Sequence, residues 1–178
     1  MNQLPIRRVV TGFDSQGVST FIQDGPCPVV RTVPERPGYR VSNLWCTGQA
    51  PASVHAADAI AQHQGVAPPK GGTVLRIIDF PPEPQDPAEL ERALQATFGS
   101  MYRDAHHAPR AGEHPGMHRT DTLDYALMLE GELVAILEGT DTTLKAGDVL
   151  IQRGTRHAWA NRSGKPARMA FILIDGAA

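Results

Sequence analysis

The stretch HPGMHRTDTLDYALMLEGEL, residues 114–133, places His114, His118, Thr120, Thr122 and two aspartates just ahead of an apolar, strand-like run. Imidazoles and carboxylates in that setting are either the rim of a metal site or polar edging on a β-structure. His118, Thr120, Thr122 and Asp124 share one parity, so along a strand they would face one side. Parity alone does not bring them together. Six residues of straight strand span ~20 Å, whereas metal ligands each come within about 2.0–2.2 Å of one ion. His118 and Asp124 can share an ion only if the chain reverses between them, and Asp121-Thr122 is the place for that bend. The hydroxyl of Thr120 is neutral and a poor ligand, better suited to hydrogen-bonding a bound water or a substrate oxygen. His114 stands four residues before His118 across Pro115-Gly116, a pair that can fold the chain back, and is a candidate extra ligand.

The elements that must position these groups follow from punctuation. Fifteen prolines and 17 glycines divide the 178 residues into short apolar runs, a β-rich pattern. IRRVVTGF and VSTFI flank DSQG as a hairpin, and PVVRTVP and YRVSNLW are further strands. SVHAADAIAQHQG, residues 53–65, reads as a short helix from Ser53 to Gly65, with His55 and His63 on its exposed face. TVLRIIDFPP is a strand stopped by prolines. PAELERALQATFG, residues 87–99, is the best helix, with Pro87 in its first turn and Leu90, Ala93, Leu94, Ala96 and Thr97 as its stripe, closed by Gly99. The polar segment 100–117 is a loop with His106-His107 as a solvated pair. Six strands are expected after residue 118, at 124–129, 132–137, 140–144, 149–152, 156–161 and 167–174, joined by Gly-bearing turns. Even spacing of this kind argues for an antiparallel barrel or jelly roll. Asp79, Asp148 and Asn161 read as strand-end and turn residues.

Composition narrows the function. Apolar residues are 41%, charged residues 20% and the net charge is −2, which argues against nucleic acid or an anionic membrane as the main partner. The first ten residues lack a signal-peptide core, and no window approaches the ~20 apolar residues of a membrane span. Cys27 and Cys46 are expected to be buried, reduced thiols, and the protein cytoplasmic.

The last hundred or so residues resemble the cupin superfamily, specifically a small single-barrel cupin of the conserved-barrel type. That family's first motif runs G(X)5HXH(X)3-4E(X)6G and its second G(X)5PXG(X)2H(X)3N. Here the first is matched by Gly112, His118, Thr120, Asp124 and Gly131, and the second by Gly147, Gly154, His157 and Asn161. Thr120 replaces the second histidine of HXH, Asp124 replaces the glutamate, and Gln152 stands where proline is usual. The resemblance implies an all-β, antiparallel jelly-roll barrel over residues 71–178. Residues 1–70 would form a β-rich arm that packs on the barrel or crosses to a partner subunit, and one or two short helices complete the fold.

The resemblance also implies that His157 arrives from a distant strand to meet His118 and Asp124. Two imidazoles and a carboxylate with open positions suit non-haem Fe(II) and are compatible with Mn, Ni or Zn. The competing reading is a metal-free barrel whose histidines are simply hydrogen-bonded. Ala126 and Met128 share parity with Asp124 and are expected to wall a substrate pocket with Thr120. Trp159, at the parity of His157, either lines the pocket or belongs to the core. The pattern does not decide which face of the strand bearing Leu133, Ala135 and Leu137 points inward. The functions to weigh are a small-molecule enzyme, metal-dependent or not, with dioxygenase, decarboxylase, isomerase or dehydratase chemistry; a metal-free binder of a small metabolite; and a structural dimer. Surplus apolar residues in the N-terminal strands point to a homodimer.

Overall fold

The structure is a computed structural model and describes residues 4–177. Its first element pair is a hairpin, β1 (Arg7–Phe13) and β2 (Ser19–Pro26). The Asp14 side chain closes its turn by accepting from the amides of Gln16 and Val18. The next strands are β3 (Val29–Thr32), β4 (Arg40–Thr47) and β5 (Thr73–Phe80), followed by helix α1 (Pro87–Met101). The final six are β6 (Thr122–Glu130), β7 (Glu132–Leu137), β8 (Asp141–Lys145), β9 (Val149–Arg153), β10 (His157–Ala160) and β11 (Ala167–Asp175). All pairings are antiparallel. One layer is a six-stranded sheet of order β3-β4-β5-β11-β6-β9, the other a three-stranded sheet of order β10-β7-β8. The two layers form an all-β jelly roll in which β3 and β4 are hydrogen-bonded into the larger sheet, while β1 and β2 form a separate two-stranded ribbon.

Period-two alternation decides what lies between the layers. Thr122, Asp124, Ala126 and Met128 of β6 are buried, as are Leu133 and Ala135 of β7, so that face of β7 points inward. On β5 the inward row is Val74, Arg76, Ile78 and Phe80. The register places Arg76 opposite Phe171 and Phe171 opposite Ala126, and Leu173 opposite Asp124. Met128, Leu133, Val74 and Met169 are essentially inaccessible, and each such side chain contributes roughly 1.5–3 kcal/mol on burial. Between β6 and β7 the chain reverses at Gly131, whose φ is 75° and where a Cβ would lie 3.0 Å from the Pro166 carbonyl oxygen. Only glycine meets both conditions there.

Two helical expectations are revised. Residues 53–65 form turns rather than a helix, and His63 is buried instead of lying on an exposed helical face. Its Nε2 lies 3.3 Å from the Arg76 guanidinium. Helix α1 begins as expected, with the Asp86 side chain accepting from the Ala88 amide, but runs two residues past Gly99. Phe98 and Met101 are among its buried residues, and packing outweighs the weak helix propensity of a single glycine. Both cysteines are buried and free. Among the described residues, no helix is long and apolar enough to cross a membrane.

Candidate functional site

A cavity of about 70 Å³ lies between the two sheets, and α1 contributes Leu94, Thr97 and Phe98 to its wall. His118, Thr120, Asp124, His157 and Trp159 all line it. The chain bends at Asp121, ahead of β6, as the spacing of His118 and Asp124 requires. His118 forms an isolated bridge with His157, each amide donating to the other's carbonyl at 2.9 Å. Their rings therefore sit side by side, with centroids 4.2 Å apart.

Hydrogen bonding fixes the tautomer of His118. His118 Nδ1 lies 2.8 Å from the Gly116 carbonyl oxygen, which only accepts, so His118 Nδ1 carries the proton and its Nε2 keeps a lone pair. His157 Nδ1 lies between an acceptor, the Thr155 carbonyl oxygen at 2.9 Å, and a donor, the Gln152 side-chain amide nitrogen at 2.6 Å. Burial and the neighbouring His157 lower the His118 pKa to about 3, and burial lowers that of His157 to about 4. Both rings are neutral at physiological pH. Asp124 is shifted the other way. Burial raises its pKa to about 6, opposed by a hydrogen bond from Thr122 and by the charge of Arg76. One of its oxygens, Oδ1, is buried with no hydrogen-bond partner among the described residues.

The remaining expected residues divide. Thr120 is buried and its hydroxyl oxygen lies 2.8 Å from that of Thr122. Trp159 packs edge-on against His157 and Phe171. Ala126 and Met128 face inward but belong to the packed core rather than to the cavity wall, because the opposite sheet and β11 close over them. His114 is engaged elsewhere, with Nε2 2.9 Å from Glu83 and Nδ1 accepting from the Gly116 amide. Both its nitrogens are occupied, and it does not line the cavity. His107 is not a solvated residue: its ring stacks on Phe98 at 3.9 Å, with Nε2 2.8 Å from the Pro115 carbonyl oxygen.

His118, His157 and Asp124 all line the cavity. Among the described residues, no three His, Cys, Asp or Glu side chains are grouped to hold a metal ion.

Sequence reasoning missed the cations of the cavity, Arg36 and Arg76, and the tyrosines beside them, Tyr39 and Tyr102. Arg76 did leave a signal. It is the one charge at the inward parity of Val74, Ile78 and Phe80. Arg36 left none, since it comes from the turn between β3 and β4.

These features define a two-layer jelly-roll barrel enclosing a mixed polar and aromatic cavity. The Cupin domain profile matches residues 106–174, which contain His118, Asp124 and His157. Oryzines biosynthesis cluster protein J of Aspergillus oryzae is 31% identical over 180 residues, covering 96% of this chain and 83% of that protein. The cupin-domain-containing oxidoreductase fogC of Aspergillus ruber is 29% identical over 176 residues, covering 94% of this chain and 71% of that one. The solved structure of a putative ethanolamine utilization protein Q from Salmonella typhimurium is 11% identical, with a TM-score of 0.45 and coverage of 98% and 100%. The chain belongs to the cupin superfamily.

Proposed function

We propose that the protein is a small-molecule enzyme of the cupin type and of the oxidoreductase class, with its substrate held in the cavity beside His118 and His157. The observation that carries this reading is the pair of neutral imidazoles, their ring centroids 4.2 Å apart, on a cavity that also holds a carboxyl group titrating at about 6. Relatives named as cupin-domain-containing oxidoreductases support the class.

The chain's own groups divide the work by their proton affinities. With pKa values of about 3 and 4, the imidazoles are weak bases at neutral pH, and His118 serves as an acceptor that orients a substrate hydroxyl through its Nε2. Asp124, at about 6, is the group whose proton exchange falls closest to neutrality, so it takes the substrate proton on its unpartnered Oδ1. Phe98, Trp159 and Phe171 exclude water around these atoms. A divalent ion would find two nitrogen donors here and no third grouped protein ligand, so no step is routed through one.

A metal-free binder is the second reading, favoured by the same missing third ligand. The discriminating experiment incubates the aerated protein with a metabolite extract and follows mass changes by chromatography. Elemental analysis is run on the same sample before and after chelation. An enzyme converts a metabolite, and the conversion is lost in a His118→Ala/His157→Ala variant. A compound retained unchanged by wild type and released by that variant would instead establish the binder and refute the enzyme.

The proposed assembly is a homodimer through the β1–β2 ribbon, where Phe13, Phe21 and Ile22 are each more than 60% exposed. Sedimentation should show a dimer at micromolar concentration that dissociates in Phe21→Lys. A wild-type monomer under those conditions rules it out.

A further inference from the structure

Arg36 and Arg76 bring two guanidinium groups to a cavity whose wall contains one carboxylate, Asp124. Arg36 sits in the turn between β3 and β4, fixed by its amide donating to the Val33 carbonyl and by the Tyr39 amide donating to its own, both at 3.0 Å. Its side chain is only 8% exposed. The guanidinium lies 4.1 Å from the centre of the Tyr39 ring and 6.0 Å from that of Phe80. Such stacking uses the face of the group and leaves its in-plane N–H donors unused. Among the described residues, none of those donors makes a hydrogen bond or an ion pair. The carboxylate whose charge it feels most is Glu83, which is already engaged with His114.

Arg76 is 2% exposed and is held by carbonyls rather than by an acid. Its guanidinium donates to the Val66 carbonyl at 2.9 Å and more distantly to that of Gly65. Among the described residues, no carboxylate is within ion-pair distance of it. With His118 and His157 neutral, the charged groups on the wall amount to two cations against one anion. Buried charges of one sign are normally matched, and a guanidinium cannot discard its proton to escape the mismatch. The hydroxyls of Tyr39 and Tyr102, 3.3 Å apart, use one proton between them and leave the second to donate.

Resting on the reading of this cavity as the substrate site, we infer that the ligand is an organic carboxylate, its anionic head bound by Arg36 and Arg76. A cationic or neutral ligand would leave the surplus positive charge uncompensated. An anion removes it and meets the unused Arg36 donors in the planar, two-pronged manner that guanidinium and carboxylate share. The apolar body of the ligand then packs on Phe98, Trp159 and Phe171. The volume, about 70 Å³, is roughly half the 150 Å³ of a cavity that accepts benzene, which favours a short acid or the head of a larger one.

The test is calorimetric titration of the full chain with acid and amide pairs of matched shape: propionate with propionamide, pyruvate with pyruvamide, benzoate with benzamide. At least one acid should bind tenfold or more tightly than its amide. That preference should disappear in Arg36→Gln and return in part in Arg36→Lys. Because the two hydrogen bonds of Arg36 are made by its backbone and are kept in the variant, the melting temperature of unliganded Arg36→Gln should stay within a few degrees of wild type. Equal binding of an acid and its amide, or full acid affinity in Arg36→Gln, would overturn the anion assignment while leaving the cavity as the binding site. Failure of every acid and every amide to bind overturns both this inference and the reading of the cavity beneath it.

Discussion

Replacing Asp124 with asparagine isolates what it costs to keep a carboxylate in the cavity. The carboxyl group titrates at about 6 in the folded chain against 3.8 for the free side chain, mainly because burial strips water from the charged form. A rise of about two units corresponds to about 3 kcal/mol, at ~1.36 kcal/mol per unit. The sign follows from proton linkage. A group whose pKa rises on folding makes its full contribution below the unfolded value, near 3.8, and loses it as pH rises through about 6. Asparagine does not titrate, so the variant escapes that loss. Its stability relative to wild type should rise by about 3 kcal/mol between pH 4 and pH 8. The comparison removes any constant offset due to shape or to the new amide. Urea denaturation of both proteins at the two pH values, in buffer containing a chelator, measures it. A difference that stays flat with pH, or a variant that loses ground at pH 8, would refute the claim that Asp124 is held against its own ionisation.

The imidazoles should show the opposite dependence. Their pKa values, about 3 and about 4, lie below the ordinary 6.5, so their contribution is complete above about 6.5 and is lost as pH falls through the folded values. Ring-nitrogen chemical shifts should report both rings neutral at pH 5, with His118 protonated at Nδ1, and a ring charged at pH 6 contradicts the lowering of these values by burial. Met128→Ala should cost roughly 2–5 kcal/mol, because the side chain is 2% exposed in the core, yet leave cavity affinity unchanged. A change in ligand affinity without loss of stability would return Met128 to the cavity wall.

Much of the architecture was legible along the chain because its signals are local. The Gly-bearing turns, the alternation in β6 and β7, and the Pro87 start of α1 each depend on residues within a few positions of one another. The spacing of His118, Asp124 and His157 placed all three on one wall, and the bend before β6 falls at Asp121 as geometry demanded. Local signals failed where packing overrode them. Residues 53–65 have helical punctuation but are drawn into turns that bury Ile60 and bring His63 to Arg76.

By itself, then, the order of residues determined which side chains share a face, since strand period and turn chemistry are properties of neighbours. Only the tertiary structure decided which face of β7 turns inward and which inward side chains meet. The His118–His157 bridge, the diversion of His114 to Glu83 and the convergence of Arg36 with Arg76 on one cavity join segments 39, 31 and 40 residues apart. Those meetings are set by how two twisted sheets and a helix close over one another. A period-two pattern carries the direction of a side chain but not its height or rotation within the barrel.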